Sequence, residues 1–437
     1  MPARETNILG RSDPDLIIVG AGAAGLAAAR RARELGLSVV VLEAKDCIGG
    51  RVHTDTESLG IPWERGANWL HEAERNLFRR YADAAGFAYE RDPPERRLWS
   101  NGGFDGALRA ELDAHEDAAL AAVEAAAAAG KDVAAAAVIP PDPRFRPLLE
   151  PWFAVINGVE AERTSTVDFA RARLAGRNLR VAAGYGALLA HYGRGVPVEL
   201  TTPALRIRWG ESLLRIDTTR GRLTAAAAIL TISTNVLASG RIAFDPPLPA
   251  ARREALAAVP TGQAAKIALA FSRNVFELEA PFFLRIDHPS HGAFIFEIRP
   301  FGRELAIGHL GGPWAVEAEA AGSDAMAGLA LDALAHAFGS ALRKHLRAFA
   351  TTAWGSDPDV LGGYSCALAG KAHLRALLAQ PLEERLFFAG EACSLHAYGT
   401  AHGAAETGIA AAEAVARTLE RRPAESGWPD SPTSASS

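Results

Sequence analysis

The stretch PDLIIVGAGAAGLAAARRARELGLSVVVLEA, residues 14–44, constrains the fold more than any other part of the chain. The apolar run Leu16 to Val19 predicts a buried parallel strand, and Gly20, Gly22 and Gly25 then spell G-x-G-x-x-G. A helix is expected up to Gly36, and Ser38 to Leu42 predicts a second strand closing at Glu43. Gly20 permits a tight turn, Gly22 lets the backbone approach a pyrophosphate, and Gly25 lets helix and strand pack closely. Ala23 and Ala24 open the helix whose N-terminus would hold the phosphates. Glu43, with Ala44 behind it, lies about 20 residues on, where an acid accepts hydrogen bonds from a ribose and disfavours a 2′-phosphate. NAD and FAD both fit this unit.

The next stretch, AKDCIGGRVHT, adds a Gly49–Gly50 turn and Arg51, whose guanidinium offers a bidentate fork to phosphate. That extra element favours the longer FAD. No second G-x-G-x-x-G follows, so the electrons are expected to come from the substrate rather than from a nicotinamide.

Composition narrows the function classes. The formal net charge of -5 offers no basic footprint for nucleic acid. Cys47, Cys366 and Cys393 are far apart and form no C-x-x-C pair, which argues against a disulfide framework or a zinc site and for a reducing cytoplasm. No stretch reaches the roughly 20 apolar residues of a membrane span, and the first dozen residues lack the apolar core of a secretory signal. The Pro- and Ser-rich end, 423–437, is expected to be a disordered tail.

Lys266 stands alone in TGQAAKIALAF, otherwise the pattern of a buried strand. Burying an unpaired ammonium is costly, so this lysine must either snorkel to water or serve something inside. Near the far end, RLFFAGEACSLHAYGTAHGAAETG gives a short strand, Leu386 to Ala389, then Gly390 and Glu391. A carboxylate there can meet a ribityl hydroxyl. A helix of small residues follows from about Ala401 to Leu419, and its N-terminus after Thr400 suits a reduced, anionic flavin.

These blocks, with ERGANWLH, AAGYGALL, ILTISTNVLASGRIAFDPPLP, AAKIALAF and AWGSDPDVLGGYSCALAG, resemble the flavin-containing amine oxidases in order over roughly 400 residues. That group holds monoamine oxidases, polyamine oxidases and flavin-dependent histone demethylases. The resemblance implies an α/β chain with a Rossmann-like FAD-binding domain interrupted by an α+β substrate domain. We expect the FAD domain in 13–90, 185–262 and 350–422, and the substrate domain in 91–184 and 263–349.

It also implies site roles. Lys266 falls on the lysine that holds a water against flavin N5, and Tyr364 on the aromatic flanking the amine path. Gly66, Ala67, Asn68 and Trp69 match the flavin-contacting loop, Ala204 the adenine-contacting valine, and Trp354 an aromatic beside the flavin. His71 resembles the substrate-side histidine of polyamine oxidases. Glu72 beside it reads as a solvated acid. Thr400 stands where monoamine oxidases carry a second tyrosine, so this chain is closer in motif to polyamine oxidases, and Gly363 replaces the cysteine linked to flavin. Noncovalent FAD, a small-molecule amine and O2 are the expected partners. L-Amino acid oxidation, with Arg79, Arg163 or Arg171 clasping a carboxylate, is an alternative. So are a flavin desaturase or dehydrogenase and a flavin-binding module without turnover.

Overall fold

The computed structural model describes residues 13–93, 95–172, 176–211, 213–289 and 292–421; the expected tail at 423–437 lies outside them. Five parallel strands form the nucleotide sheet, in the order Leu386–Phe388, Ala227–Leu230, Leu16–Val19, Val39–Leu42, Val198–Glu199. Both faces are covered, as near-continuous apolar strands require. Helices Ala23–Glu34 and Ala401–Arg421 pack on one face. An antiparallel hairpin layer, Ala204–Arg208, Leu214–Thr218 and Gly221–Ala225, with Ala243–Asp245 alongside, covers the other. A Cβ on Gly408 would lie 2.1 Å from Ala24 O, so the last helix meets the first nearly backbone to backbone. The small residues of that last helix are what permit the approach.

The second unit is a seven-stranded sheet in the order Leu346–Thr351, Ala264–Phe271, Leu305–Gly311, Gly292–Ile298, Phe282–His288, Arg96–Ser100, Gly103–Phe104. Strand alternation divides its residues. Ala265, Ile267, Leu269, Phe294, Phe296, Ala306 and Leu310 share one face, buried beneath helices Gly312–Ala321 and Ser323–Phe338. Lys266 pairs directly with His309, and Glu297 with Ile307, so Lys266, His309 and Glu297 share the opposite face. That face meets the loop 64–69 of the nucleotide unit. The α/β class expected from the sequence is the one observed. The alanine-rich helix spans Gly106–Ala128, started by Asp105, whose carboxylate accepts from Leu108 N at 2.8 Å.

Candidate active site

At the nucleotide end, Gly20 adopts φ +106°, a conformation that favours glycine, and a Cβ on Gly25 would sit 1.8 Å from Gly20 O. Glu43, at the end of its strand, ties the turn down by accepting from Ala21 N at 2.7 Å and Lys45 N at 3.0 Å. Burial raises its pKa, opposed by those two N–H groups. Gly49 N donates to Ala21 O at 2.9 Å, which brings Gly50 and Arg51 beside the first loop. Ala44 is half-buried there, and Ala204 is buried at the start of its strand.

The residues fit an extended dinucleotide. A Cβ on Gly22 would meet only Gly49 O, at 3.8 Å, and one on Gly390 would meet nothing within 4 Å, so both glycines border open room. Ala23 and Ala24 open the adjoining helix, where first-turn N–H groups have no partner within the helix. Glu391 is buried against this room and accepts from Arg51 Nη1 at 2.9 Å, Ser365 Oγ at 2.7 Å and Gly399 N at 2.8 Å. Burial would raise its pKa, but Arg51 and Ser365 hold it below the usual carboxylate value. Arg51 also donates to Gly363 O at 2.6 Å, so it joins the N-terminal loop to the C-terminal segments.

The loop 64–69 is built against Arg51. A Cβ on Gly66 would lie 1.9 Å from Arg51 O, and Ala67 N donates to that same carbonyl at 2.9 Å. Lys266 reaches the loop from across the sheet, its Nζ donating to Glu64 O at 3.1 Å and Gly66 O at 2.8 Å. It lies 5.9 Å from the Trp69 ring. Burial lowers its pKa, opposed by the carboxylates of Glu297 and Glu64. Glu64 itself is pushed up to about 7 by burial, despite bonds from Tyr185 N and Thr54 Oγ1 and the charge of Lys266. An ammonium has three donors, and the loop carbonyls take two. Trp354 is buried beside this group, with its indole N–H donating to Arg65 O at 2.9 Å.

Tyr364 sits on a segment bridged to the entrance of the Lys266 strand, with Gly262 N donating to Tyr364 O at 2.8 Å. Its hydroxyl donates to Val155 O, and burial raises its pKa. A Cβ on Gly399 would touch Tyr364 Cβ at 3.5 Å, which places Thr400 close by. Thr400 Oγ1 donates to Ala397 O at 2.6 Å and accepts from Gly403 N at 3.0 Å. Its hydroxyl is therefore spent on capping the final helix, which begins at Ala401.

His71 follows Trp69 with its ring 5.8 Å away, and its Nδ1 lies 3.0 Å from Asn178 Oδ1. The Asp92 backbone N–H donates to the Asn178 backbone carbonyl at 3.3 Å, and the Asp92 carboxylate accepts from Trp69 Nε1 at 2.8 Å. The contact with His71 is made by the Asn178 side-chain oxygen, which can only accept. His71 then carries its proton on Nδ1 and leaves Nε2 as an acceptor. Burial holds its pKa below the ordinary histidine value, which favours the neutral ring.

Asp92, Asn178, Arg180, Glu297 and His309 were missed by sequence reasoning, although Glu297, His309 and Arg180 are lone charged or polar residues in apolar strands, the very pattern that singled out Lys266. Glu72 corrects an expectation: it is buried, adopts φ +50° and pairs with Arg75 at 2.6 Å, with His402 Nε2 3.4 Å away. The arginines expected to clasp a carboxylate are on the surface: Arg79 pairs with Asp83, Arg163 lies 3.9 Å from Glu160, and Arg171 is exposed.

Among the described residues, no group of three or more His, Cys, Asp or Glu side chains is arranged to hold a metal, and no helix is long and apolar enough to cross a membrane. The sequence matches the family described as flavin containing amine oxidoreductase over residues 23–137 and 134–416. Polyamine oxidase 4 of Oryza sativa subsp. japonica is 28% identical, covering 92% of this chain and 88% of its own. Polyamine oxidase 2 of Arabidopsis thaliana is 29% identical, with 93% and 89% covered. Human lysine-specific histone demethylase 2 is 24% identical over 92% of this chain but only 53% of its own. Among solved structures, cyclohexylamine oxidase from Brevibacterium oxydans IH-35A shares the fold, with a TM-score of 0.78 at 23% identity over 94% of this chain and all of that one. The chain belongs to the flavin-containing amine oxidoreductase family, as an amine oxidase whose cofactor is FAD, held noncovalently.

Proposed function

We propose that the chain oxidises a polyamine or another aliphatic or secondary amine, with oxygen as the electron acceptor. When bound, FAD would supply the redox chemistry, accepting a hydride from the amine α-carbon and passing the two electrons to O2 as H2O2, while water hydrolyses the imine to an aldehyde or ketone.

The observation that carries this reading is the 3.0 Å contact between His71 Nδ1 and the Asn178 side-chain oxygen. Burial favours the neutral imidazole, and Nε2, without a hydrogen-bond partner among the described residues, can accept a hydrogen bond from an amine N–H and orient the lone pair for oxidation. Tyr364, tethered through its hydroxyl, contributes its ring as an apolar wall that favours the neutral amine. Lys266 keeps one N–H beyond its two loop carbonyls, suited to a water and to negative charge developing on the cofactor or on reduced oxygen. Thr400 supports substrate placement through its bulk and backbone, since its hydroxyl caps a helix. Resemblance to the plant polyamine oxidases over nearly the whole chain supports the same substrate class. Surface positions of Arg79, Arg163 and Arg171, the first two paired with Asp83 and Glu160, weigh against amino acids.

Anaerobic mixing of the yellow enzyme with polyamines, aromatic amines and amino acids tests the reading. Bleaching of the visible flavin band by aliphatic polyamines or secondary amines is the expected result. Bleaching only by amino acids or only by aromatic amines would replace the substrate class, and no bleaching at all would overturn the proposal.

A further inference from the structure

Two consecutive residues of the flavin-side loop are held by two different acids. Asn68 Nδ2 donates to Glu297 Oε1 at 2.8 Å, and Trp69 Nε1 donates to Asp92 Oδ1 at 2.8 Å. The acids come from separate parts of the chain, Glu297 from strand Gly292–Ile298 and Asp92 from just beyond strand Tyr89–Arg91. One guanidinium joins them. Arg180, 1% exposed on strand Leu179–Val181, donates from Nη1 to Glu297 Oε2 at 3.2 Å. Its Nε lies 3.3 Å from Asp92 Oδ1, an ion pair whose angle does not make a hydrogen bond. Nη2 donates to Glu90 at 2.9 Å, and the Phe301 ring lies 5.1 Å from the guanidinium carbon.

Each acid has a second client. Asp92 is tied by its backbone N–H, at 3.3 Å, to Asn178, whose side-chain oxygen holds His71, while Glu297 Oε1 lies 3.0 Å from His309 Nε2, on the sheet face that carries Lys266. We infer that Arg180 is a positioning residue that couples the two sides of the site, holding the substrate-side histidine and the cofactor-side loop in register through Asp92 and Glu297. The inference rests on the reading of His71 as the substrate-side acceptor.

The geometry requires arginine. A rigid planar fork can serve three carboxylates from fixed directions, whereas an ammonium is a point charge on a flexible stem. Burying a charge is costly unless it is paired and hydrogen-bonded, so a guanidinium this enclosed is retained only where its partners hold it. The partners here are groups that themselves hold the loop and the histidine.

Arg180→Lys tests it in the FAD-loaded enzyme by two readouts. The first is 15N NMR of histidine-labelled protein, with the His71 resonance assigned by its loss in His71→Gln. The second is the rate of flavin reduction by the best amine. The expected result is unchanged FAD content, a His71 signal that moves from the Nδ1–H tautomer towards a mixture of both, and reduction slowed about tenfold or more. A His71 tautomer identical to wild type overturns the inference, as does a loss confined to stability or FAD content.

If Arg180→Lys does not fold, Asp92→Asn, Glu297→Gln and their double variant decide. Shared dependence on Arg180 predicts that their effects on reduction rate are not multiplicative, and independent effects overturn it. If no amine reduces the flavin, the proposed function fails while the His71 tautomer still judges the coupling.

Discussion

Lys266→Met removes two donated hydrogen bonds and one cation in a single change. The carbonyls of Glu64 and Gly66, 3.1 and 2.8 Å from Nζ, lose their donor in a half-buried setting. Each acceptor left unsatisfied costs about 1–3 kcal/mol. Methionine spares the burial of an ammonium, which offsets part of that, so a net loss of about 2 kcal/mol is expected. Equilibrium unfolding in guanidinium chloride would report it as a lower midpoint with unchanged slope. The lost cation has a separate signature: reoxidation of the reduced enzyme by oxygen should slow about a hundredfold, as when one preorganised charge stabiliser is deleted. Stopped-flow mixing of the photoreduced enzyme with oxygen measures this without any substrate. An unchanged midpoint would refute the argument that the ammonium fastens the loop. A lowered midpoint with wild-type reoxidation would refute its electrostatic part.

Glu64→Gln should flatten the pH dependence of stability. The folded pKa is raised from 4.5 to about 7, so the native state keeps a proton that the unfolded chain gives up between those values. Stability is therefore full below the unfolded pKa and falls as pH rises towards about 7, by at most about 3.4 kcal/mol at 1.36 kcal/mol per unit. Unfolding midpoints at about pH 5 and about pH 8 should differ less in the variant than in wild type. Glu391→Gln loses the charged partner of Arg51 and weakens the bonds from Ser365 and Gly399, so FAD affinity should fall about tenfold to a hundredfold, read by titrating apoprotein with FAD. Gly25→Ala places a methyl 1.8 Å from Gly20 O, and the purified protein should be colourless or insoluble; a yellow, stable variant would contradict the packing described.

The nucleotide unit was legible because its determinants are local. The glycine spacing, the flanking strands and Glu43 lie within one stretch, and each glycine has a steric reason visible from sequence. Lys266 was legible as an anomaly, a charge in an apolar strand. The same test applied to GAFIFEI, LAIGHLG and LRV would have singled out Glu297, His309 and Arg180, which share that anomaly. Asp92 and Asn178 carry no such mark. They lie in irregular segments, and only the pairing of strand Tyr89–Arg91 with Leu179–Val181 brings them together. Tertiary proximity also explains Glu72, which reads as a surface acid until the final helix covers it with His402.

The strand order of the nucleotide sheet has a consequence in time. Leu16–Val19 is bordered by Val39–Leu42, made at once, and by Ala227–Leu230, made about 190 residues later. At roughly 5–20 residues per second, a ribosome leaves that central strand with one bare edge for about 10–40 s. Glu391 and helix Ala401–Arg421 come later still, so the proposed FAD cradle is completed only after they have been made. During that interval the exposed apolar edge is a target for chaperones and for mispairing with other chains. A cradle built from both ends of this stretch takes up FAD only once the segment that carries Glu391 has been made.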